Sequence, residues 1–492
     1  MVSSTPTDKT ETTTQVEEIT TKNPPKWCSV SLSDVISRGK RLDASVFDVE
    51  AKQAWTRILK GKYGAVLLGN GGIIKTAYYP GRFKRIYCSR GNGEPFFLPS
   101  QMSEIYPKAE KYISPITKCN LMELRLQPNT LLLTRSGTIG TVSYVSKTIQ
   151  GQVYSDDVIR VTFEKDYDLG YIYTFLKSKT GNKILTTNGY GAVITHLEPE
   201  HLSTIPIPNA PIKLRQKINN LIVSSFDLRD ESNKLIDDAT ALLTTELQLP
   251  DIDTFDVKLY KKDAPLETFN IKLSNMTGRL DASYHVPIVN AITSHLRKYA
   301  EEVTTIGDPR VSKGVILPGR FKRVYVEQGY GRVFIGGKQL YELDPSNKKY
   351  LSNVHHGNRI AEQLELHENM TLITCSGTIG KVALVGKHWE NWTANQHIIR
   401  IIPANHDIAG YLNIFLASDY GFPLITRHTY GSVVDEIDDH HVRAIPVPLL
   451  KNHEVQKQIN DLALEANQKR YEAYLLEQEA LQIMDTEVIY AK

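Results

Sequence analysis

At 492 residues the chain is too long for one hydrophobic core and comfortable for two domains of roughly 200 residues each. Its 41% hydrophobic and 23% charged residues are those of an ordinary soluble globular protein, and no apolar run approaches the roughly 20 residues of a membrane helix. A net charge of +3 excludes a global field for polyanions, so any affinity for nucleic acid has to come from local basic patches.

Residues 1–26 are rich in Thr, Ser, Lys and Glu and have no apolar stretch, which excludes a secretory signal and predicts a disordered tail. Within it Asn23-Pro24-Pro25-Lys26 lacks the aromatic that an adenine methyltransferase stacks on a flipped base. Four cysteines (Cys28, Cys88, Cys119 and Cys375) lie far apart with no C-x-x-C pair, and a reduced, cytoplasmic compartment is expected.

Beyond the tail the chain repeats itself. Arg41-Leu-Asp-Ala-Ser45 returns as Arg279-Leu-Asp-Ala-Ser283, and Pro80-Gly-Arg-Phe-Lys-Arg85 as Pro318-Gly-Arg-Phe-Lys-Arg323, both 238 residues on. An offset of 240 then carries Ser136-Gly-Thr-Ile-Gly140 onto Ser376–Gly380, Ile159-Arg160 onto Ile399-Arg400 and Gly170-Tyr171 onto Gly410-Tyr411. It also carries Tyr190-Gly191 onto Tyr430-Gly431 and Ile205-Pro-Ile-Pro208 onto Ile445-Pro-Val-Pro448. Matched anchors in one order, with a drift of two residues, define a tandem duplication.

Each copy, 27–210 and 269–450, reads in the same order. Short apolar runs broken by Gly and Pro, such as 65–68, 131–133, 158–161 and 371–373, predict strands, while 168–185 and 406–425 predict helices within the sheet-rich region. From Gly71 to Gly93 there is no acid, yet Lys75, Arg82, Lys84, Arg85 and Arg90 are interleaved with Tyr78, Tyr79, Phe83 and Tyr87. The second copy repeats this with Arg310, Lys313, Arg320, Lys322 and Arg323. Pro-Gly marks a turn and R-F-K-R a strand start, a cationic edge that can hold phosphates or read guanine. A solvated edge strand protected by charge is the plainer alternative.

S-G-T-I-G lies between two apolar strands, so it is a hairpin tip whose glycines permit close approach. The Ser136, Thr138, Ser376 and Thr378 hydroxyls suit a phosphate or base edge, although a purely structural turn fits as well. Just before it Arg135 becomes Cys375, one place where the two readings can differ. The loops at Tyr190 and Tyr430, the latter preceded by Arg427, are further candidates, with core tyrosines as the alternative.

I-P-x-P closes each copy, because proline fits neither a helix interior nor a central strand. Long helices follow over 211–248 and 451–487, the first copy's leading into a linker at 249–268. Ile218, Leu221, Ser225, Leu228, Ser232, Leu235, Ala239 and Leu242 step by three and four. So do Ile459, Leu462, Ala466, Lys469, Ala473, Leu476, Ala480 and Ile483, with Lys469 the one poor fit. Antiparallel pairing of the two helices is the simplest way to bury both stripes. Bundling against another protein, or an amphipathic face on each domain, would do so too.

Enzyme signals are weak. Val66–Gly72 looks like a strand entering a cofactor loop, but its counterpart Gly307–Arg310 lacks the glycine run. Asp251, Asp256 and Lys258 are cramped in a linker, and no phosphate-binding loop or H-E-x-x-H motif exists. The pairs His355-His356 and His440-His441 have no third ligand at metal spacing and read as surface residues. The expected fold class is α+β: two tandem sheet-rich domains, each followed by a long helix, with the helices forming an antiparallel coiled coil.

R-L-D-A-S, S-G-T-I-G and I-P-x-P with a heptad helix, twice over, resemble the specificity subunit of type I restriction–modification systems, over about residues 27 to 485. The resemblance implies a non-catalytic subunit with two target-recognition domains spaced along double-stranded DNA by paired helices. It implies DNA methyltransferase subunits as partners, in some systems a translocating nuclease, and no membrane. S-adenosylmethionine would sit on the methyltransferase, with no cofactor on this chain. The two domains here are unusually alike, so the expected target is bipartite with similar inverted half-sites and an adenine methyltransferase as partner. A recognition subunit of another methylation-linked phage-defence complex is the alternative, and a self-sufficient DNA-acting enzyme a remoter one.

Overall fold

A computed structural model describes residues 29–37, 47–69, 72–190, 195–254, 269–276 and 278–491. The N-terminal tail, the first R-L-D-A-S box, Gly191–Val193 and most of the 249–268 linker lie outside the described residues.

Each copy builds two four-stranded sheets from strands of only two to six residues. In the first copy Ile74–Tyr78, Val158–Phe163, Leu131–Thr134 and Val142–Tyr144 lie side by side, all antiparallel. The second sheet runs Tyr87–Cys88, Lys111–Ile113, Glu94–Phe97 and Val153–Tyr154, with the last pair parallel. The second copy repeats both orders, with Ser312–Ile316, Ile398–Pro403, Thr371–Thr374 and Val382–Leu384 in its first sheet. Even the irregularity repeats: the register shifts between Ile74 and Thr76, and again between Ser312 and Gly314.

Buried arginines tie the two sheets of each copy together. Arg160, in the middle of an apolar strand, is 2% exposed and Arg400 is 0% exposed. The Arg160 guanidinium donates to the carbonyls of Val158 (2.7 Å), Leu124 (3.1 Å) and Tyr154 (3.1 Å). Arg400 repeats this on Ile398 (2.6 Å), Leu364 (3.3 Å) and Ala394. Burial pushes their pKa values down to about 10 and about 9, still far above neutrality. Among the described residues neither charge has a carboxylate partner, and a ring of carbonyl dipoles solvates each instead.

The other repeat anchors also have local reasons. Pro206–Pro208 pairs with Ala65–Leu67, and Pro446–Leu449 with Glu302–Thr305. Both are two-stranded ribbons, where proline's missing N–H costs no central ladder bond. Tyr171 and Tyr411 donate to the carbonyls of Pro208 (2.7 Å) and Pro448 (2.6 Å). Gly170 and Gly410 give their N–H to Asn219 (2.9 Å) and Asn460 (2.8 Å) on the long helices. A Cβ on Gly170 would stand 2.8 Å from the Asn219 Cα, so only glycine allows this approach. The predicted single helices are each broken in two. Asp166–Lys177 and Lys179–Thr187 are separated by Ser178, whose hydroxyl caps the Gly181 N–H at 3.1 Å, and Ser418 does the same in the second copy.

The long helices are Ile212–Glu246 and His453–Ile483, the latter continuing through a wider turn to Ile489. They pair antiparallel: Ser225 donates to the Ala473 carbonyl at 2.7 Å and Lys469 meets Glu231 at 2.7 Å. Small residues rather than leucines make the closest contact. Ser225, Ser232, Ala239, Ala466, Ala473 and Ala480 are all fully buried, whereas Leu228 and Leu476 are half-buried flanks. Lys469, off pattern in the heptads, sits at the edge of the seam.

The helix pair carries one domain at each end. Ile218, Ile222 and Phe226 share a core with Ala480 and Ile483, while Ala239 and Leu243 share the other with Ile459 and Ala463. The domains also meet midway, where Glu104 and Glu342 pair as an antiparallel bridge and Ile105 donates to the Tyr341 carbonyl at 2.9 Å. Glu104 and Glu342 are themselves repeat equivalents, 238 apart, so a pseudo-two-fold axis runs between them. Among the described residues no helix is long and apolar enough to cross a membrane.

Candidate nucleic-acid interface

The P-G-R-F-K-R segment joins the two sheets as an irregular extended strap, and the strand begins only at Tyr87 and Tyr325, later than expected. Phe83 turns inward, edge-on to Phe96 with centroids 6.3 Å apart, and Phe321 packs on Phe334 at 6.4 Å. With phenylalanine inside, its neighbours Arg82, Lys84, Arg320 and Lys322 are left exposed. Lys75 and Lys313 are exposed on the adjoining edge strands.

Among the described residues Lys75, Arg82, Lys84, Lys313 and Lys322 have no ion pair or hydrogen bond from their side chains, so their charges are free for a polyanion. Arg320 meets Glu436 at 3.0 Å while its side chain stays 79% exposed. Arg85 and Arg323 are half-buried and tethered, to Asp156 at 2.6 Å and Gln396 at 2.7 Å. They hold the strap down.

The S-G-T-I-G tips are hairpin turns. Gly137 and Gly377 have φ of +78° and +77°, and their N–H groups bond the Thr195 and Asp435 carbonyls. Those N–H groups are therefore occupied. Thr138 and Thr378 remain exposed at the tip, and Ser136 and Ser376 are half-buried behind it. Ser136 donates to Asp157 at 2.6 Å and contacts His196 Nδ1 at 2.8 Å.

Three expected contact residues need correction. Arg135 is 6% exposed: its guanidinium lies 4.1 Å over the Tyr79 ring and bonds Glu198 (2.7 Å) and Asp157 (3.3 Å). It is an internal cation, spent on two carboxylates. Arg90 reaches across to Asp419 of the second copy at 2.8 Å and ties the domains together. Arg427 is half-buried, 4.4 Å over the Tyr284 ring. Tyr190 and Tyr430 are partly exposed, each hydroxyl donating at 2.6 Å to the residue preceding a short helix, Glu198 or Asp438. Burial opposes ionisation of Glu198, but the bonds from Tyr190 and Arg135 hold its carboxyl below the usual range.

The second R-L-D-A-S box buttresses this loop. Arg279 bonds the His428 and Thr429 carbonyls at 3.1 and 2.8 Å and its own Asp281 at 2.6 Å. The glycine after the Val66–Leu68 run also has a packing reason, since a Cβ on Gly69 would stand 2.3 Å from Ser203. His356 accepts the Val324 N–H at 3.1 Å, so it is an internal bond rather than a surface residue. His440 and His441 do have a third partner: Asp438 brings a ligand atom within 4.8 Å of theirs, a grouping that could hold a metal ion. The I-R anchor carried a signal that sequence reading left unused, because a cation recurring inside an apolar strand marks a buried charge.

Two domains with the same strand order, each presenting exposed cations on a strap between two sheets, are both mounted on one helical rod. Residues 326–462 match the family model described as type I restriction modification DNA specificity domain. The first copy repeats the strand order of that matched region, so the chain carries a specificity domain over 326–462 and a second unit of the same fold before it. No curated protein matches the sequence closely enough to count as a relative. Among solved structures the chain is similar to the S subunit of a type I restriction-modification system from M. genitalium, at 12% identity over 87% of this chain and 96% of that one, TM-score 0.31. It is also similar to the HsdS subunit from Thermoanaerobacter tengcongensis, at 12% identity over 88% and 100%, TM-score 0.27.

Proposed function

We propose that the chain directs a partner DNA adenine methyltransferase to a bipartite target whose half-sites are similar and inverted. The observation that carries this reading is the duplicated, solvent-facing set Lys75, Arg82 and Lys84 with Lys313, Arg320 and Lys322 on two domains related by a pseudo-two-fold axis. The exposed lysines and arginines hold phosphates; Thr138, Thr378, Tyr190 and Tyr430 stand at the loops beside them as candidates for base or sugar contact. The chain contributes recognition and no catalytic group. S-adenosylmethionine belongs to the methyltransferase, a translocating nuclease completes the complex in a restriction-competent system, and the assembly works in the cytoplasm.

Methylation mapping in cells that carry this chain and its neighbouring methyltransferase gives the target directly. The expected result is two related inverted motifs separated by a fixed number of unspecified base pairs. A single uninterrupted motif would overturn the two-reader account; two unrelated half-sites would overturn only the symmetric version. Co-purification distinguishes the other methylation-linked defence complex, in which the partner would not be a type I methyltransferase.

A further inference from the structure

The pseudo-two-fold axis relates two pockets between the domains and the long helices, and they are not alike. One is nearly solid, a cavity of about 40 Å³. Its mate is about 490 Å³, within the range of about 300–1,000 Å³ typical of small-molecule sites.

On the solid side Arg229 is neutralised. Glu477 is fully buried, 3.0 Å from Arg229 and 2.8 Å from Lys177, and it also accepts the Tyr173 hydroxyl. The Phe226 ring lies 4.8 Å from Tyr144 and 5.6 Å from Tyr173, filling the space.

Each of these groups shrinks or loses its charge in the repeat. Offsets of 240 in the domain and 241 in the helices turn Tyr144 into Leu384, Tyr173 into Asn413 and Lys177 into Ala417. Phe226 becomes Asn467, and the carboxylate of Glu477 becomes the aliphatic Ile236. The arginine alone survives, as Arg470. Its guanidinium bonds only neutral groups, Ser232 at 3.2 Å and Asn233 at 3.4 Å, and has no carboxylate partner among the described residues. Burial pushes its pKa down to about 10. Asn413 is 8% exposed, lines the cavity, and its Nδ2 has no hydrogen-bond partner among the described residues. Leaving a buried donor such as the Asn413 amide unmet is costly, and the half-buried Arg470 guanidinium lining the same cavity has no anion among the described residues to neutralise it.

We propose that this cavity binds a small organic carboxylate with a ring-sized apolar body. Its carboxylate lies beside Arg470 where Glu477 lies beside Arg229, and Asn413 donates a second hydrogen bond. The ring occupies the volume that Tyr173 and Phe226 fill on the other side, against Ile236 and Leu384. The site stands at the joint of both domains and both helices, away from the exposed cations of the straps.

Isothermal titration of the full-length chain with benzoate, phenylacetate and 3-phenylpropionate, with benzyl alcohol and inorganic phosphate as comparisons, tests it. Saturable binding by at least one of the carboxylates is expected, with a matching rise in melting temperature. Arg470→Gln should weaken that binding about tenfold or more, the scale of one charge-assisted pair. Ile236→Glu restores the missing carboxylate and should abolish binding while raising the melting temperature. Asn413→Tyr, which refills the volume without charge, should abolish it as well should the glutamate variant fail to fold. Absence of saturable carboxylate binding overturns the proposal. So does binding unaffected by either filling variant, or benzyl alcohol or phosphate binding as tightly as the carboxylates.

Discussion

Behind the two hairpin tips the same backbone carries opposite chemistry. In the first copy Arg135 sits between Asp157 and Glu198, a buried cation with two acidic partners. In the second copy Cys375 takes that position, 3% exposed, and burial pushes its thiol up to about 12. His397 stands where Asp157 was, while Asp438 keeps the acidic position of Glu198. The tips nevertheless keep the same glycine conformations and the same bridge to the following loop. What holds the tip is therefore backbone pairing, and the side chains beneath it are free to be exchanged as a set. Arg160 and Arg400 teach the converse, because their partners are carbonyls that every sequence provides, and there the residue is the same in both copies.

That contrast can be broken by substitution. The largest effect is expected at the shared arginines: Arg160→Ala and Arg400→Ala should each cost about 3–5 kcal/mol, since several buried carbonyls lose their donor together with the packing of the stem. Urea midpoints that differ widely between the two variants would show that the copies are not supported alike. Next, Arg135→Ala should cost about 2–3 kcal/mol at neutral pH by stranding Glu198 and Asp157, against about 1 kcal/mol for Cys375→Ala. Equal losses would mean the ion cluster contributes nothing beyond packing.

The dyad contact gives a pH signature. Burial raises both Glu104 and Glu342 to about 7, opposed by Lys381 at the first and Lys177 at the second, with Glu110 and Asp344 adding to the rise. A carboxyl whose folded pKa lies above its unfolded value binds more protons in the folded state, so stability falls as pH rises from about 4.5 through 7. Melting curves between pH 5 and 8 should show a loss of about 1–3 kcal/mol, reduced in Glu104→Gln and Glu342→Gln. The smallest effect sharpens the comparison of the straps. Alanine at Arg82 and Lys84 should flatten the salt dependence of DNA binding by up to about two units, and Arg320 with Lys322 by a similar amount. An unchanged slope would mark these cations as a solvated edge.

The parts of this architecture legible in sequence are those where backbone geometry demands one residue type. Gly170 and Gly410 must let a helix approach, and the prolines of I-P-x-P tolerate only an edge ribbon, so both recur and both could be found by self-comparison. The heptads revealed the helix pairing for the same reason, and their small residues at alternate positions the close approach, though not that Leu228 and Leu476 only flank the seam. Arg135 was misread because its partners Asp157 and Glu198 lie 22 and 63 residues away, a distance no local pattern spans. No local pattern marks Glu477 as buried either; its burial depends on Lys177, some 300 residues earlier. Lys75, Arg82 and Lys84 could be read as exposed because the phenylalanine between them has to face the core.

The closing helix has one more consequence, for the order in which the molecule is finished. Met484, Val488 and Ile489 belong to the core of the first domain, and Arg57 bonds the Tyr490 hydroxyl at 2.9 Å. The domain that leaves the ribosome first therefore lacks part of its interior until residues 484–490 have been made. The second domain, by contrast, already has Ala239, Leu243 and Leu247 waiting for it. Synthesis from the N-terminus thus completes the later domain first, and the earlier one stands with an open apolar flank for most of translation.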